Sequence, residues 1–237
     1  MKNTLFISLF IVALILPTSS FAQMSNENKA VEIVEKAIKA MGGKDFLKSI
    51  TTLYTDSKTT MEGHEVNWIT KEMLPNKGSF DIVFQGRTVY KSWFDGTTGY
   101  ELAAGERKLA NQDEFKNKKY KKNIFNEFDY LDKTLYTLEY IGEEKANGLV
   151  CQKIKTTLAN GEVKYLYYSN ETGLQIKEET VANAETGSFS SVLFGGYKKY
   201  GNLTYYSTMT FLAEGNNQTA TVLELYYNKG ISQEDFK

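Results

Sequence analysis

Leu149-Val150-Cys151-Gln152-Lys153-Ile154-Lys155-Thr156-Thr157-Leu158 and Val163-Lys164-Tyr165-Leu166-Tyr167-Tyr168 flank the turn Ala159-Asn160-Gly161. Asn-Gly accepts positive φ, so this is the clearest hairpin turn in the chain, with a β-rich run on either side of it. The same alternation of β-rich runs and turn residues extends in both directions. Upstream, runs at 51–61, 66–73, 79–84, 88–94 and 100–104 are separated by Glu62-Gly63, Pro75-Asn76-Lys77-Gly78, Gln85-Gly86 and Asp95-Gly96. A further run at 134–141 precedes the hairpin, and others follow at 174–181, 189–194, 203–212 and 219–227. Spacing this regular predicts an antiparallel meander of about 10–12 strands.

One side of that sheet is apolar. Phe80, Ile82 and Phe84 alternate with polar or intermediate residues; Leu203, Tyr205, Met209 and Phe211 share a face, as do Leu223, Leu225 and Tyr227. An exposed apolar face of this size would aggregate or bind something, so it must be covered. Two segments are available to cover it. In residues 28–50, Ala30, Ile33, Val34, Ala37, Ile38 and Met41 follow the spacing of an amphipathic helix. Gly42-Gly43 ends that helix, and Phe46, Leu47 and Ile50 suggest one more short turn. In residues 111–133, Phe115, Tyr120, Ile124, Phe125, Phe128 and Leu131 fall at mostly helical offsets, which predicts an inserted helix or helix pair.

Composition removes several function classes. The chain has 237 residues, 28 Lys+Arg against 29 Asp+Glu, 1 His and 1 Cys. One histidine, His64, cannot build a multi-His metal site, and Cys151 alone cannot form an intramolecular disulfide, a zinc ribbon or an iron–sulfur site. A net charge of −1 lacks the field of a nucleic-acid binder. Cys151 is expected to be buried, because a free cysteine packs as a small hydrophobe.

The first 22 residues read as a secretory leader. Lys2 gives a short basic region, residues 5–16 an apolar run, and Pro17 breaks it. Ser20-Phe21-Ala22 then offers small residues at −3 and −1 of a cleavage site. The apolar run falls short of the roughly 20 residues of a membrane span, and no Cys lies near the cleavage site to carry a lipid. The expectation is an exported chain, not lipid-anchored, with one domain over residues 23–237.

Several local phrases carry a resemblance. Phe94-Asp95-Gly96-Thr97-Thr98-Gly99-Tyr100 resembles an F-D-G-x-x-G/x-aromatic hairpin. Asn160-Gly161-Glu162-Val163 through Tyr167-Tyr168-Ser169-Asn170-Glu171-Thr172-Gly173-Leu174 resembles G-x-x-x-Y-Y-D-x-x-T-G-L. Gly195-Gly196-Tyr197-Lys198-Lys199-Tyr200-Gly201-Asn202-Leu203 is similar to D-Y-K-x-v-x-G-v/i, and Ile231-Ser232-Gln233-Glu234-Asp235-Phe236 to a closing i-x-x-x-x-F. These phrases, with the order helix, Gly-Gly, short helix, meander, inserted helical stretch, resemble the LolA-like periplasmic carriers of lipoproteins and lipids. Two features depart from that pattern: residues 203–207 hold no proline, and Gly195-Gly196 stands where an acidic residue is common.

The resemblance implies an α+β fold: an incomplete antiparallel β-barrel whose concave apolar face is covered by helices. It also implies a periplasmic carrier holding the acyl chains of a lipoprotein or lipid on the way to the outer membrane. Inner- and outer-membrane lipoprotein-transfer proteins would be its partners. The chain is read as a monomer that uses no cofactor and no metal and binds no nucleic acid. Candidates for the cavity lining are Met61, Trp68, Phe84, Phe94, Tyr165, Ile176, Phe194, Met209, Phe211, Leu223 and Leu225, since Met and aromatic side chains suit variable acyl chains. Tyr205-Tyr206 and the other tyrosine runs suit either a wet mouth or plain β propensity. Lys116, Lys118, Lys119, Lys121 and Lys122 suit an anionic head group or partner, or else a solvated face.

No G-x-S-x-G, H-E-x-x-H, G-x-x-x-x-G-K-[ST] or EF-hand loop is present, and the chain is read as a non-enzyme. The alternative to a carrier is an envelope module that docks a protein partner with the same half-barrel. An envelope hydrolase with an acidic pair ranks third.

Overall fold

A computed structural model describes residues 19–103, 105–183, 188–213 and 215–237. The expected leader lies outside these residues, apart from positions 19–22 at the start of the first helix. That helix, α1 (Ser19–Met41), buries Ala30, Ile33, Val34, Ala37, Ile38 and Met41, the stripe that the spacing predicts. It stops where the Gly43 amide donates to the Ile38 carbonyl at 2.9 Å, a bond that closes a helix end and needs positive φ. Gly42 and Gly43 supply it at 144° and 92°. The short α2 (Lys44–Lys48) follows and buries Leu47.

A six-strand meander comes next: β1 (Thr52–Met61), β2 (His64–Met73), β3 (Lys77–Phe84), β4 (Arg87–Phe94), β5 (Gly99–Ala103) and β6 (Glu106–Leu109). After an irregular connection holding α3 (Asn126–Tyr130), the strands resume. They are β7 (Tyr136–Ala146), β8 (Leu149–Leu158), β9 (Val163–Ser169), β10 (Gln175–Asn183), β11 (Ser188–Gly195), β12 (Lys198–Tyr200), β13 (Leu203–Tyr205), β14 (Thr208–Leu212) and β15 (Gln218–Tyr227). Thirteen of them form one antiparallel sheet in the order β6-β5-β4-β3-β2-β1-β15-β14-β11-β10-β9-β8-β7; β12 and β13 pair apart from it. The edges β6 and β7 do not pair with each other, so the barrel is incomplete.

The strands differ from the ten to twelve expected in two places: one more joins the main sheet, and one expected run does not stay whole. Strand β6 is Glu106-Arg107-Lys108-Leu109, exposed throughout, and so lacks the apolar alternation that marks a half-buried strand. The expected run at 203–212 divides at Tyr206-Ser207 between two sheets, and Leu203 therefore leaves the face of Met209 and Phe211. The Asn-Gly hairpin turn is present, with Gly161 at φ 91°.

The inserted stretch is neither one helix nor a pair of long ones. It is a chain of short turns: 3₁₀ pieces at Gln112–Phe115 and Lys118–Tyr120, then α3. Side chains compete here with the helical backbone. The Asn111 side-chain Oδ1 accepts from the Asp113 amide, and the Asp129 carboxylate takes the Lys122 amide at 3.3 Å and the Asn123 side chain at 2.7 Å.

The main core joins the α1 stripe to Leu138, Ile154, Leu166 and Tyr168 on one half of the concave face, and to Leu53, Val222 and Leu225 at the middle of the sheet. A smaller cluster of Ala146, Cys151, Tyr167 and Ile176, with Tyr165 against it, lies apart from that core. Cys151 is buried and free, as expected. On the side of the sheet away from the core, a capping box at Ser232 starts the 3₁₀ turn Gln233–Phe236. Asp235 there pairs with Lys71, its carbonyl accepts from the Lys91 ammonium at 2.9 Å, and Phe236 is 1% exposed. Phe236→Ala is expected to lower unfolding stability by about 3 to 5 kcal/mol. Leu109→Ala on exposed β6 should change it by less than about 0.5 kcal/mol. Urea unfolding of the two variants checks this, and equal effects would contradict the packing described.

Candidate functional site

Directly paired residues on neighbouring strands point to the same side of a sheet. The register therefore stacks three rows on the concave face: Leu53, Glu72 and Gly78; Thr55, Thr70 and Phe80; Ser57, Trp68 and Ile82. In β1 the middle members are Thr55 and Ser57, short side chains at the centre of a sheet, where longer ones would fill the space in front of them. Neither α1 nor the inserted stretch fills it either, and a cavity of about 570 Å³ remains.

Its wall includes Trp68 and Phe80, with Met209 and Phe211 of β14 beside them, and its polar members include Glu72 and Lys118. The Trp68 ring stands edge-on to Phe80 at 5.6 Å and to Phe211 at 5.7 Å, and its indole N–H donates to the Met61 sulfur at 3.3 Å. Phe115 of the inserted stretch closes one end. It stacks on Phe94 at 5.7 Å and occupies the space a side chain at position 99 would need, since a Cβ on Gly99 would meet its ring at 2.2 Å. Tyr205 and Tyr206, stacked at 4.1 Å, border both this cavity and a second of about 240 Å³.

The smaller chamber is more polar. Glu72, Lys121, Glu127, Gln175 and Glu178 line it, together with Phe194 and Tyr197. Burial favours the neutral form of Glu72, but the Lys121 ammonium at 2.8 Å, with Lys118 behind it, outweighs that and holds the carboxyl below its ordinary value. Glu178 pairs with Lys164 at 2.7 Å. Glu127 has no ion pair among the described residues, and burial pushes its carboxyl up to about 7. Burial also raises the Tyr205 and Tyr206 phenols, which stay protonated.

The structure divides the expected lining residues. Trp68, Met209 and Phe211 stand in the wall of the larger cavity, and Phe194 in that of the smaller. Met61 supports Trp68 from behind, and Phe94 lies under Phe115. Phe84 packs beside His64, 5.5 Å between rings, and stands in the wall of neither cavity. Leu225 is part of the main core.

Three residues are misplaced by the sequence pattern. On β15, Glu224 pairs with Asp56 but Val222 pairs with Ser57, so Leu223 is an extra residue at a bulge and is 56% exposed. The inward phase changes there from Leu225 to Val222. On β10, Gln175 pairs with Tyr168 and Lys177 with Tyr167, which makes Ile176 a second bulge residue and leaves it in the cluster of Cys151 and Tyr167. Tyr165 packs with that cluster too, because its neighbour Leu166 is the residue that enters the main core.

Phe80, Phe115 and Lys118 were not among the expected lining residues. Phe80 belonged to a recognised apolar face, and Phe115 to the helical offsets of the insert. The lysine run is neither one solvated face nor one binding patch. Lys116 and Lys119 are exposed, Lys122 pairs with Asp132 at 2.7 Å, Lys121 pairs with Glu72, and Lys118 turns into the cavity. Among the described residues no group of His, Cys, Asp and Glu is arranged to hold a metal ion. No described helix is long and apolar enough to cross a membrane.

No protein-family model and no curated protein matches the chain. Solved structures do. A domain from Vibrio parahaemolyticus assigned as an outer membrane lipoprotein-sorting protein is similar over 89% of this chain and 97% of its own, with TM-score 0.61 and 15% identity. A LolA superfamily protein from Nitrosomonas europaea matches over 88% and 97%, with TM-score 0.59 and 9% identity. A DUF1329 family protein from Desulfovibrio piger matches over 88% and 97%, with TM-score 0.58 and 14% identity. At these identities the likeness is one of fold, and the fold is LolA-like: an open antiparallel barrel with helix on its concave side.

Glu127 gives the site a pH signature. A carboxyl harder to ionise in the folded chain than in the unfolded one costs nothing at low pH, and it destabilises the fold progressively as pH rises from about 4.5 to above about 7. Its neighbours are Glu178 and Asp129, which raise it, and Lys121, which lowers it. Glu127→Gln is therefore expected to be more stable than the parent near pH 8, by on the order of 2 to 3 kcal/mol, and no more stable near pH 4. Thermal unfolding at both pH values checks this; a gain that is the same at both would contradict it.

Proposed function

We propose that this protein is an extracytoplasmic, non-enzymatic carrier that takes an acyl chain of a lipid or lipoprotein into the cavity on the concave face, for transfer toward the outer membrane. The observation that carries this reading is the hollow itself. An apolar-walled space of about 570 Å³ lies within the range of small-molecule pockets and is left open where the fold would otherwise close it. Each CH₂ moved there from water contributes about 0.8 kcal/mol, so a 16-carbon chain supplies on the order of 10 kcal/mol before the costs of binding. No nucleophile is required.

The leader expected at residues 1–22 and the lipoprotein-sorting assignment of the Vibrio domain support the compartment and the cargo class. Transfer proteins at the two membranes would load and unload it. The aromatic and Met wall of the hollow suits an acyl chain, and this favours the carrier over a module that docks a protein partner.

The residues in the wall make the reading testable. Met209→Asp places a carboxylate in the apolar wall, and at least a tenfold loss of affinity for a 16-carbon acyl probe is expected. Phe84→Asp, outside the wall, should leave binding within about twofold. Unchanged binding in Met209→Asp would contradict the assignment of the cavity. Trp68 offers a direct readout, because Trp93, the only other tryptophan, is stacked on Tyr100 at 5.5 Å, away from the cavity wall. Titration with a chain bearing a bromine or spin-label quencher should quench emission in the parent protein and lose most of that effect in Trp68→Phe. Quenching that survives Trp68→Phe would place the chain elsewhere.

A further inference from the structure

Lys118 is a cation without a counter-ion. Its side chain runs from the 3₁₀ turn Lys118–Tyr120 across strand β3 at Gly78, where a Cβ would lie 2.8 Å from the ammonium nitrogen. A glycine at that place in the strand leaves the room through which the ammonium reaches the concave face. Once there it has no hydrogen bond and no ion pair with any described residue. The one acid that acts on it, Glu72, is already held by Lys121 at 2.8 Å. Lys118, Lys121 and Glu72 together carry one positive charge in excess; Lys118 and Glu72 share the wall with Trp68, Phe80 and Phe115, and Lys121 reaches Glu72 from the smaller chamber.

An ammonium withdrawn from water and left unpaired is costly. Burial pushes the Lys118 amine below its ordinary value, and Glu72 only partly offsets this. A group that destabilises the empty protein becomes favourable when an incoming anion accepts its hydrogen bonds, and a charge-assisted bond in such a setting is stronger than one in water. The ester- and amide-linked chains of a lipoprotein bring no anion to this point. A free fatty acid brings a carboxylate, and a phosphate-headed lipid a phosphate.

We propose that the cavity takes a single-chain anionic amphiphile, with its carboxylate or phosphate on the Lys118 ammonium and its chain against Trp68 and Phe211. This rests on the carrier reading above and narrows its cargo.

The experiment compares palmitate, hexadecyl phosphate, hexadecanol and inorganic phosphate on the full exported chain by titration calorimetry near neutral pH. Palmitate and hexadecyl phosphate should each bind at least tenfold tighter than hexadecanol. In Lys118→Met that ratio should fall to within about twofold, while Lys118→Arg should retain most of it. Lys119→Met serves as a control, since that lysine is exposed over the Tyr120 ring at 4.9 Å. A ratio near one in the parent protein, or a preference that survives Lys118→Met, would overturn the anchor and leave the carrier reading intact. Inorganic phosphate binding as tightly as hexadecyl phosphate would overturn the amphiphile in favour of a site for a free anion. No binding of any 16-carbon probe would overturn both.

Discussion

The concave face of the sheet is apolar and must be covered, but the chain has too little helix to cover it. That shortage determines the rest of the structure. Helix α1 packs on the half formed by β7–β9, where Leu138, Ile154, Leu166 and Tyr168 meet its buried stripe. The inserted stretch reaches the other end, where Phe115 lies on Phe94 and Gly99. Between the two supports the wall is built from Thr55, Ser57 and Thr70, and nothing projects far enough to fill the gap. In close-packed interiors a void of this size forfeits contact energy. A cargo chain recovers it, so the incomplete cover is what couples this fold to ligand binding.

Much of this was legible from sequence, and the failures have definite physical causes. The α1 stripe and its Gly-Gly stop were readable because a helix writes its face at regular offsets, and two glycines mark the one place where positive φ is needed. Strand positions were readable from turn chemistry: Glu62-Gly63 and Gln85-Gly86 both adopt positive φ at both residues, the geometry of two-residue hairpins. Face assignment was less secure, because a single bulge reverses the phase of everything beyond it. Leu223 and Ile176 are both bulge residues, and alternation read across them assigns the wrong side. Strand β6 escaped notice because an edge strand with charged side chains has no apolar signal to give. The hollow itself could not be read, since Thr55 and Ser57 are unremarkable until the register shows them at the centre of the sheet.

The charges around the cavity repeat one theme. Most buried acids and bases are paired across strands or between strand and insert, as Glu72 is with Lys121 and Glu178 with Lys164. Lys118 and Glu127 have no ion pair among the described residues, and they face different chambers with Tyr205 and Tyr206 between them. The larger chamber thus joins apolar walls to a single positive group. The smaller holds a carboxyl that burial pushes up to about 7, so that it is only partly ionised near neutral pH. Such unpaired groups cost stability in the empty protein, and natural folds keep costs of this kind where a ligand or a change of state relieves them.

Whether the hollow carries an acyl cargo is tested most directly by native mass spectrometry with organic extraction, on the protein purified from an exported preparation without added lipid. A near-stoichiometric mass increment, with a co-extracted amphiphile of matching mass that is lost in Met209→Asp, is the expected result. A clean apo mass, on protein that also takes up no added 16-carbon probe, would contradict carriage and turn attention to docking of a protein partner.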